Sequence, residues 1–185
     1  MTLLTSTHRS VSQRRFVRVG AGFLALILVA TACTSDSSSG SAGAVDSSAT
    51  GTQVDFSYVD FDGDSVQLTD LPDGPIVVNF FASWCPTCIA EMPDFQTVSQ
   101  NMADQVTFLG LATQDRVENA VQLVADTGVT YTVGNDQNGE IFQIFEGLGM
   151  PTTVFINADR TVAKVHTGVL DVESLTETIN DELLS

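Results

Sequence analysis

From Val54 to Ser185 the sequence predicts an α/β domain: a mixed central β-sheet flanked by helices, with an N-terminal β-hairpin extension. Three observations carry this expectation. Segments with the two-residue alternation of strands take turns with segments of helical spacing. Ile76-Val77-Val78-Asn79-Phe80-Phe81 is almost continuously apolar, as a central strand covered on both faces must be. Two late segments, Thr152 to Ile156 and Thr161 to Thr167, flank the turn Asn157-Ala158-Asp159-Arg160 and read as a hairpin at the sheet edge.

The elements follow in order. Val54 to Val59 alternates apolar and polar residues as a strand does. Asp62-Gly63-Asp64 is a turn signal, after which Val66 to Leu68 pairs back as a hairpin. Leu71-Pro72-Asp73-Gly74-Pro75 is a loop before the apolar strand. A helix is expected from about Cys85 to Met102, because Ile89, Met92, Phe95 and Met102 recur at helical spacing; Pro93 should kink it. Val106 to Leu111 reads as a second central strand. Val117, Ala120, Val121 and Val124 mark a second helix, ended by Gly128. Tyr131 to Val133 is a short strand, and Ile141, Phe142, Ile144, Phe145 and Leu148 predict a short apolar helix. Leu175, Ile179 and Leu183 mark a closing helix with Asp171 as its N-cap.

Upstream the composition changes twice. Residues 1–32 read as an export leader: Arg14, Arg15 and Arg18 precede an apolar stretch from Val19 to Ala32, shorter than a spanning helix prefers. Val29-Ala30-Thr31-Ala32-Cys33 resembles the bacterial lipobox, which implies that Cys33 carries lipid and anchors the chain outside the cytoplasm. Residues 33–53 are mostly Ser, Gly, Ala, Thr and Asp, lack an apolar face, and read as a flexible tether reaching about 25 Å. The domain proper is then 54–185. The chain carries 23 acidic and 7 basic residues, a formal net charge of −16, and four of the basic residues lie in the leader. So acidic a domain repels phosphate backbones, which argues against nucleic-acid binding; a solvated, monomeric surface is the expectation.

The chemistry-bearing segment is Trp84-Cys85-Pro86-Thr87-Cys88, between the buried strand and the first helix. The start of a helix offers unpaired N–H groups and the positive end of its dipole, which favour a thiolate there. A spacing of three residues brings two helical cysteines within bonding reach, and Pro86 fits a first turn that has no use for its missing N–H. Cys85 should be the exposed attacking residue and Cys88, one turn in, the shielded one that resolves a mixed disulfide.

Val77 to Cys88 resembles the active-site segment of thioredoxin-like proteins. It is most similar to the exported TlpA/ResA/DsbE branch, in which Glu, an apolar residue and Pro often follow the pair, here Glu91-Met92-Pro93. Gly149-Met150-Pro151-Thr152-Thr153 resembles the loop that holds a cis-proline beside the dithiol, and residues 157–168 resemble the closing hairpin. The resemblance implies a thioredoxin fold and a cis Pro151. It also implies a substrate groove lined by Trp84, Met150 and Pro151, exchange with protein dithiols or disulfides, and a further electron-exchange partner, with no organic cofactor or metal. Oxidants of secreted proteins and reductants serving cytochrome c maturation share this scaffold, so direction stays open. Thioredoxin itself has a buried Asp where this chain has Asn79, which cannot titrate. Glu91, three residues from Cys88, is one candidate for accepting its proton, with a solvated helix face as the plainer alternative.

Two rival chemistries fit less well. A copper metallochaperone of this fold needs a longer cysteine spacing and a partner His, whereas His166 lies with Lys164 on an alternating strand that suggests a solvated face. A thiol peroxidase expects Pro and then Thr or Ser before its reactive Cys, where this chain has Val78 and Ala82.

Overall fold

The computed structural model describes residues 49–185; the leader, Cys33 and the tether as far as residue 48 lie outside the described residues. Seven strands form one sheet in the order β2-β1-β5-β4-β3-β6-β7. They are β1 (Ser57–Asp60), β2 (Ser65–Gln67), β3 (Ile76–Phe81), β4 (Thr107–Thr113), β5 (Thr132–Asp136), β6 (Thr152–Ile156) and β7 (Val162–Thr167). The helices are α1 (Pro86–Asn101), α2 (Val117–Thr127), α3 (Glu140–Ile144) and α4 (Val172–Leu183). Strands β3, β4 and β5 run parallel, while β1, β2, β6 and β7 join antiparallel, which gives the mixed sheet and the N-terminal hairpin. Among the described residues no helix is long and apolar enough to cross a membrane.

All six residues of β3 are buried. Its alternate side chains serve two cores. Ile76, Val78 and Phe80 pack with Leu109, Leu111, Val154, Ile141 and Phe145 on the α3 side. On the opposite face Val77 packs with Phe95 and Val98 of α1 and Leu175 and Ile179 of α4. Phe81 on that face packs with Met92 of α1 and Ala120 and Leu123 of α2. This two-sided cover is why the strand reads as a continuous apolar run. Helix α1 runs through Pro93 to Asn101, α2 ends on Gly128 at a left-handed φ of 72°, and Asp171 caps α4 by accepting from the Ser174 N–H at 2.9 Å.

Two elements differ from expectation. The first strand starts late, at Ser57, because the chain before it pairs elsewhere. Gly51 N–H donates to Val162 O at 2.8 Å, Val162 N–H to Thr52 O at 2.9 Å and Val54 N–H to Arg160 O at 2.9 Å. Residues 49–53, expected as tether, thus lie along the closing hairpin. These bonds use only backbone groups, so the Ser/Gly/Thr composition carries no sign of them. The short apolar helix also stops early, at Ile144. Glu146 takes a left-handed φ of 54°, and Gly147 N–H closes onto Phe142 O at 3.2 Å. Ile141 and Phe145 are buried as expected, but Leu148 falls outside the helix and is 89% exposed.

Candidate active site

The chain leaves β3 at Phe81, crosses Ala82 to Trp84 and enters α1 at Pro86. Cys85 is the N-cap of α1, in extended conformation, and its sulfur accepts the Cys88 N–H at 3.2 Å. Cys85 and Cys88 are joined in a disulfide. Cys85, expected to be exposed, is instead buried like Cys88, because both pack into the cluster of Phe81, Met92 and Ala112. The pair is asymmetric only in that Cys85 keeps 5% of its surface exposed and lines an open groove, while Cys88 keeps none. The Thr87 hydroxyl lies 3.4 Å from Cys85 Sγ.

The loop that carries the pair is held from the side. Asp115, buried just beyond β4, accepts from the Ser83 backbone N–H, from the Ser83 hydroxyl at 2.9 Å and from the Arg116 N–H at 2.8 Å. Trp84, 58% exposed, donates its Nε1–H to Gln114 O at 3.1 Å. Facing it, the Met150–Pro151 peptide bond is cis. Met150 packs on the cluster that contains both cysteines. Thr152 Oγ1–H donates to Gly149 O at 2.6 Å and Gly168 N–H to Pro151 O at 2.9 Å, which fixes both ends of this loop. Between the two loops lies an open groove of about 490 Å³ lined by Trp84, Cys85, Gln114, Phe142, Leu148 and Met150, among others.

Beneath the disulfide is a buried polar group. Glu91, one turn beyond Cys88 on α1, is 1% exposed. Its Oε1 accepts from Asn79 Nδ2 at 2.9 Å and its Oε2 from the Leu170 N–H at 3.2 Å. Asn79 Oδ1, Thr153 Oγ1 and Tyr131 Oη are also buried and make no hydrogen bond among the described residues.

The Redoxin family matches residues 46–183. This chain belongs to the Redoxin family. Similar proteins include the thiol-disulfide oxidoreductase ResA of Oceanobacillus iheyensis, 31% identical over 121 residues; the match covers 65% of this redoxin and 63% of that relative's length. The soluble secreted antigen MPT53 of Mycobacterium tuberculosis is 35% identical over 111 residues, 60% of each chain. Among solved structures, a secreted Mycobacterium tuberculosis disulfide oxidoreductase homologous to Escherichia coli DsbE gives a TM-score of 0.62 at 26% identity, over 68% of this chain and 95% of that one. The fold they share is thioredoxin-like.

In this redoxin the structure brings Trp84, Cys85 and Met150 together in the lining of one groove, whereas Cys88 and Pro151 are buried behind it and Glu91 lies one turn beyond Cys88. Cys33 lies outside the described residues. Ser83, Gln114, Asp115, Phe142 and Leu148 also belong to the site, and the sequence alone did not single them out. A signal existed for two of them: Gln114 and Asp115 follow β4, and loops beyond the carboxyl ends of adjacent parallel strands converge. His166 is half-buried on β7 rather than solvated, since α4 covers that face and Lys164 beside it reaches Glu182 at 3.0 Å. Burial, and then the Lys164 charge, hold the His166 imidazole below its ordinary value. Among the described residues no three His, Cys, Asp or Glu side chains gather as metal ligands do.

Burial pushes the Glu91 carboxyl up from an ordinary 4.5 to about 7, against the lowering effect of its bonds from Asn79 and Leu170; the Asp94 charge adds to the rise. The acid therefore straddles neutrality, where a proton acceptor or donor works best. Burial and then the Glu91 charge also push the Tyr131 phenol up, so its hydroxyl stays protonated.

A pH-dependent stability follows from Glu91. Its folded value lies above its unfolded value, so between about 4.5 and 7 the folded state holds a proton that the unfolded state has lost. The stabilisation is full below that window and is lost as pH rises through it, by about 3 kcal/mol at most. Denaturant melts of the oxidised protein and of its Glu91→Gln variant should therefore diverge. The native protein loses that increment relative to the variant between acid and mildly alkaline pH, while a constant difference would mean that Glu91 ionises as freely folded as unfolded.

Proposed function

We propose that this redoxin is an extracytoplasmic thiol–disulfide oxidoreductase that exchanges disulfides with protein substrates and with a second redox partner. The observation that carries the proposal is the asymmetric pair at the start of α1, with Cys85 at the groove floor and Cys88 sealed behind it. In the reducing direction the Cys85 thiolate attacks one sulfur of a substrate disulfide, and the other substrate sulfur leaves as a thiolate. The resulting mixed disulfide is short-lived, because Cys88 is held one helical turn away. Cys88 gives up its proton and attacks Cys85 Sγ, which releases the second substrate sulfur. The protein dithiol has then lost two electrons and the substrate has gained them.

Glu91 is the acceptor we assign to the Cys88 proton. It lies one turn beyond Cys88, and a carboxyl near 7 can take a proton and return it. Asn79 holds one carboxylate oxygen and the Leu170 N–H the other, so the acid is oriented without a neighbouring positive charge that would keep it ionised. Trp84, Met150 and Pro151 position the substrate segment. Run backwards, the same steps oxidise a substrate dithiol; the potential of the pair sets the direction.

The lipobox-like Val29 to Cys33 supports a lipid on Cys33 that holds a monomeric domain at the outer face of the cell membrane. A similar protein is named a soluble secreted antigen, which fits export of this one. Replacing Cys33 by Ala should move the protein from the membrane fraction to the soluble fraction without changing its dithiol chemistry. Unaltered retention would mean that the leader itself remains as the anchor.

The exchange is tested by trapping. A Cys88→Ala variant should accumulate mixed disulfides with protein substrates through Cys85, seen as reductant-sensitive adducts, since attack proceeds and resolution cannot. Cys85→Ala should accumulate few. Equal trapping by both variants would refute the division of roles.

A further inference from the structure

Asn79 Nδ2 is committed to Glu91 Oε1 at 2.9 Å, while the other end of the same amide, Oδ1, is buried without a hydrogen bond. We propose that Tyr131 and Thr153 are positioning residues for the proton transfer: their hydroxyls are the two donors for Asn79 Oδ1, and together they fix the amide with Nδ2 toward Glu91. The inference rests on the exchange reading given above, because it concerns the group that accepts the Cys88 proton.

The sheet register sets both hydroxyls beside Asn79. On β3 Asn79 is directly opposed by Gly110 of β4 and by Thr153 of β6, so these three positions share one face of the sheet. Directly opposed residues have Cβ atoms about 4.5–5.5 Å apart, a span that a hydroxyl and an amide oxygen close by small side-chain rotations. Gly110 has no side chain, and the Tyr131 ring fills the space beside Asn79 instead. A Cβ added at Gly110 would lie 3.1 Å from Tyr131 Cε2, the ring carbon next to the one that bears the hydroxyl. Tyr131 also lies close enough to Glu91 for the carboxylate charge to add to the rise that burial causes in its phenol, which therefore remains a donor at neutral pH.

The three groups are chemically complementary. An amide oxygen has two lone pairs, and Tyr131 Oη and Thr153 Oγ1 are donors that are likewise buried without a hydrogen bond. Left apart in a sealed interior, each would carry the cost of desolvation; together they satisfy one another. The orientation they impose matters to Glu91. Nδ2 donates to the carboxylate and favours its ionised form, whereas a reversed amide would present Oδ1, which repels the carboxylate and accepts from the protonated acid. Fixing the amide therefore opposes the rise that burial causes in Glu91. The other charged or titratable neighbours are Asp94 and the cysteine pair on α1 and, beyond Thr153 on β7, His166. Helix α4 presents the apolar Leu175 and Ile179 to this face.

The test is a titration of Glu91 in the full-length oxidised protein. No substrate is present, so its failure is distinct from a failure of exchange, which the trapping variants read. The Glu91 carboxyl carbon is followed by NMR after isotope labelling of glutamate, and its signal is assigned by its loss in Glu91→Gln. The native midpoint should lie at about 7. Tyr131→Phe combined with Thr153→Val removes both hydroxyls with little change of shape. This pair should raise the midpoint by about one pH unit, a tenfold change in the ionisation constant. Using Thr153→Ser in place of Thr153→Val restores one hydroxyl and should recover about half of that rise, even though it deletes a methyl group. In an Asn79→Ala background the paired change should leave the midpoint where Asn79→Ala alone sets it. An unmoved midpoint in the paired variant, or no recovery with Thr153→Ser, would overturn the assignment. So would an equal rise in the Asn79→Ala background, since the hydroxyls would then act on Glu91 directly.

Discussion

The enclosure of β3 is the constraint on which the rest depends. Its six residues are covered on both faces and paired on both edges, by β4 and β6. Such a strand cannot shift its register without moving apolar side chains out of two cores. The chain can therefore reach the surface only beyond Phe81, and the dithiol is placed where it does so. The cysteines inherit a fixed position from the core and a favourable field from the start of α1. The neighbouring loops, from β4 through Asp115 and before β6 through Pro151, are set by the same sheet.

A second consequence is the buried acid. Asn79 projects from β3 onto the α1 side, where Glu91 meets it, and the Leu170 N–H reaches the same carboxylate from the segment between β7 and α4. Three parts of the fold thus converge on one ionisable group under the sulfur pair. Two hydrogen bonds lower its ionisation point and desolvation raises it; desolvation is the larger effect. Asn79 contributes a donor without adding a second charge, so the site contains one titrating carboxyl below the pair rather than two competing ones.

Much of this was readable from residue order. The apolar run of β3, the helix beginning at the Cys-Pro-Thr-Cys segment, the Gly128 stop and the Asp171 cap each rest on local chemistry that a sequence displays directly. What was hidden depends on distant partners. Glu91 looks like any helix-surface acid until β3 and the Leu170 segment cover it. Residues 49–53 look like tether because their pairing with the closing hairpin runs through backbone groups, joined by one side-chain bond from Gln53 Nε2 to Asp159 O. Leu148 fits an apolar helical pattern, yet the left-handed turn at Glu146 releases it to the groove edge. Ser83 and Asp115 are separated by 32 positions and meet only because β3 and β4 are neighbours. The sheet topology, not any motif, creates that bond.

The central claim is that burial divides one pair of cysteines into an attacking and a resolving residue. Its most direct test is the order in which a small alkylating reagent modifies the two thiols of the fully reduced native protein, read by mass spectrometry of the peptide that contains both. Cys85 should carry the first label at every pH tested, and Cys88 should be labelled at a comparable rate only after denaturation. Labelling of Cys88 first, or of both at the same rate in the folded protein, would contradict the account.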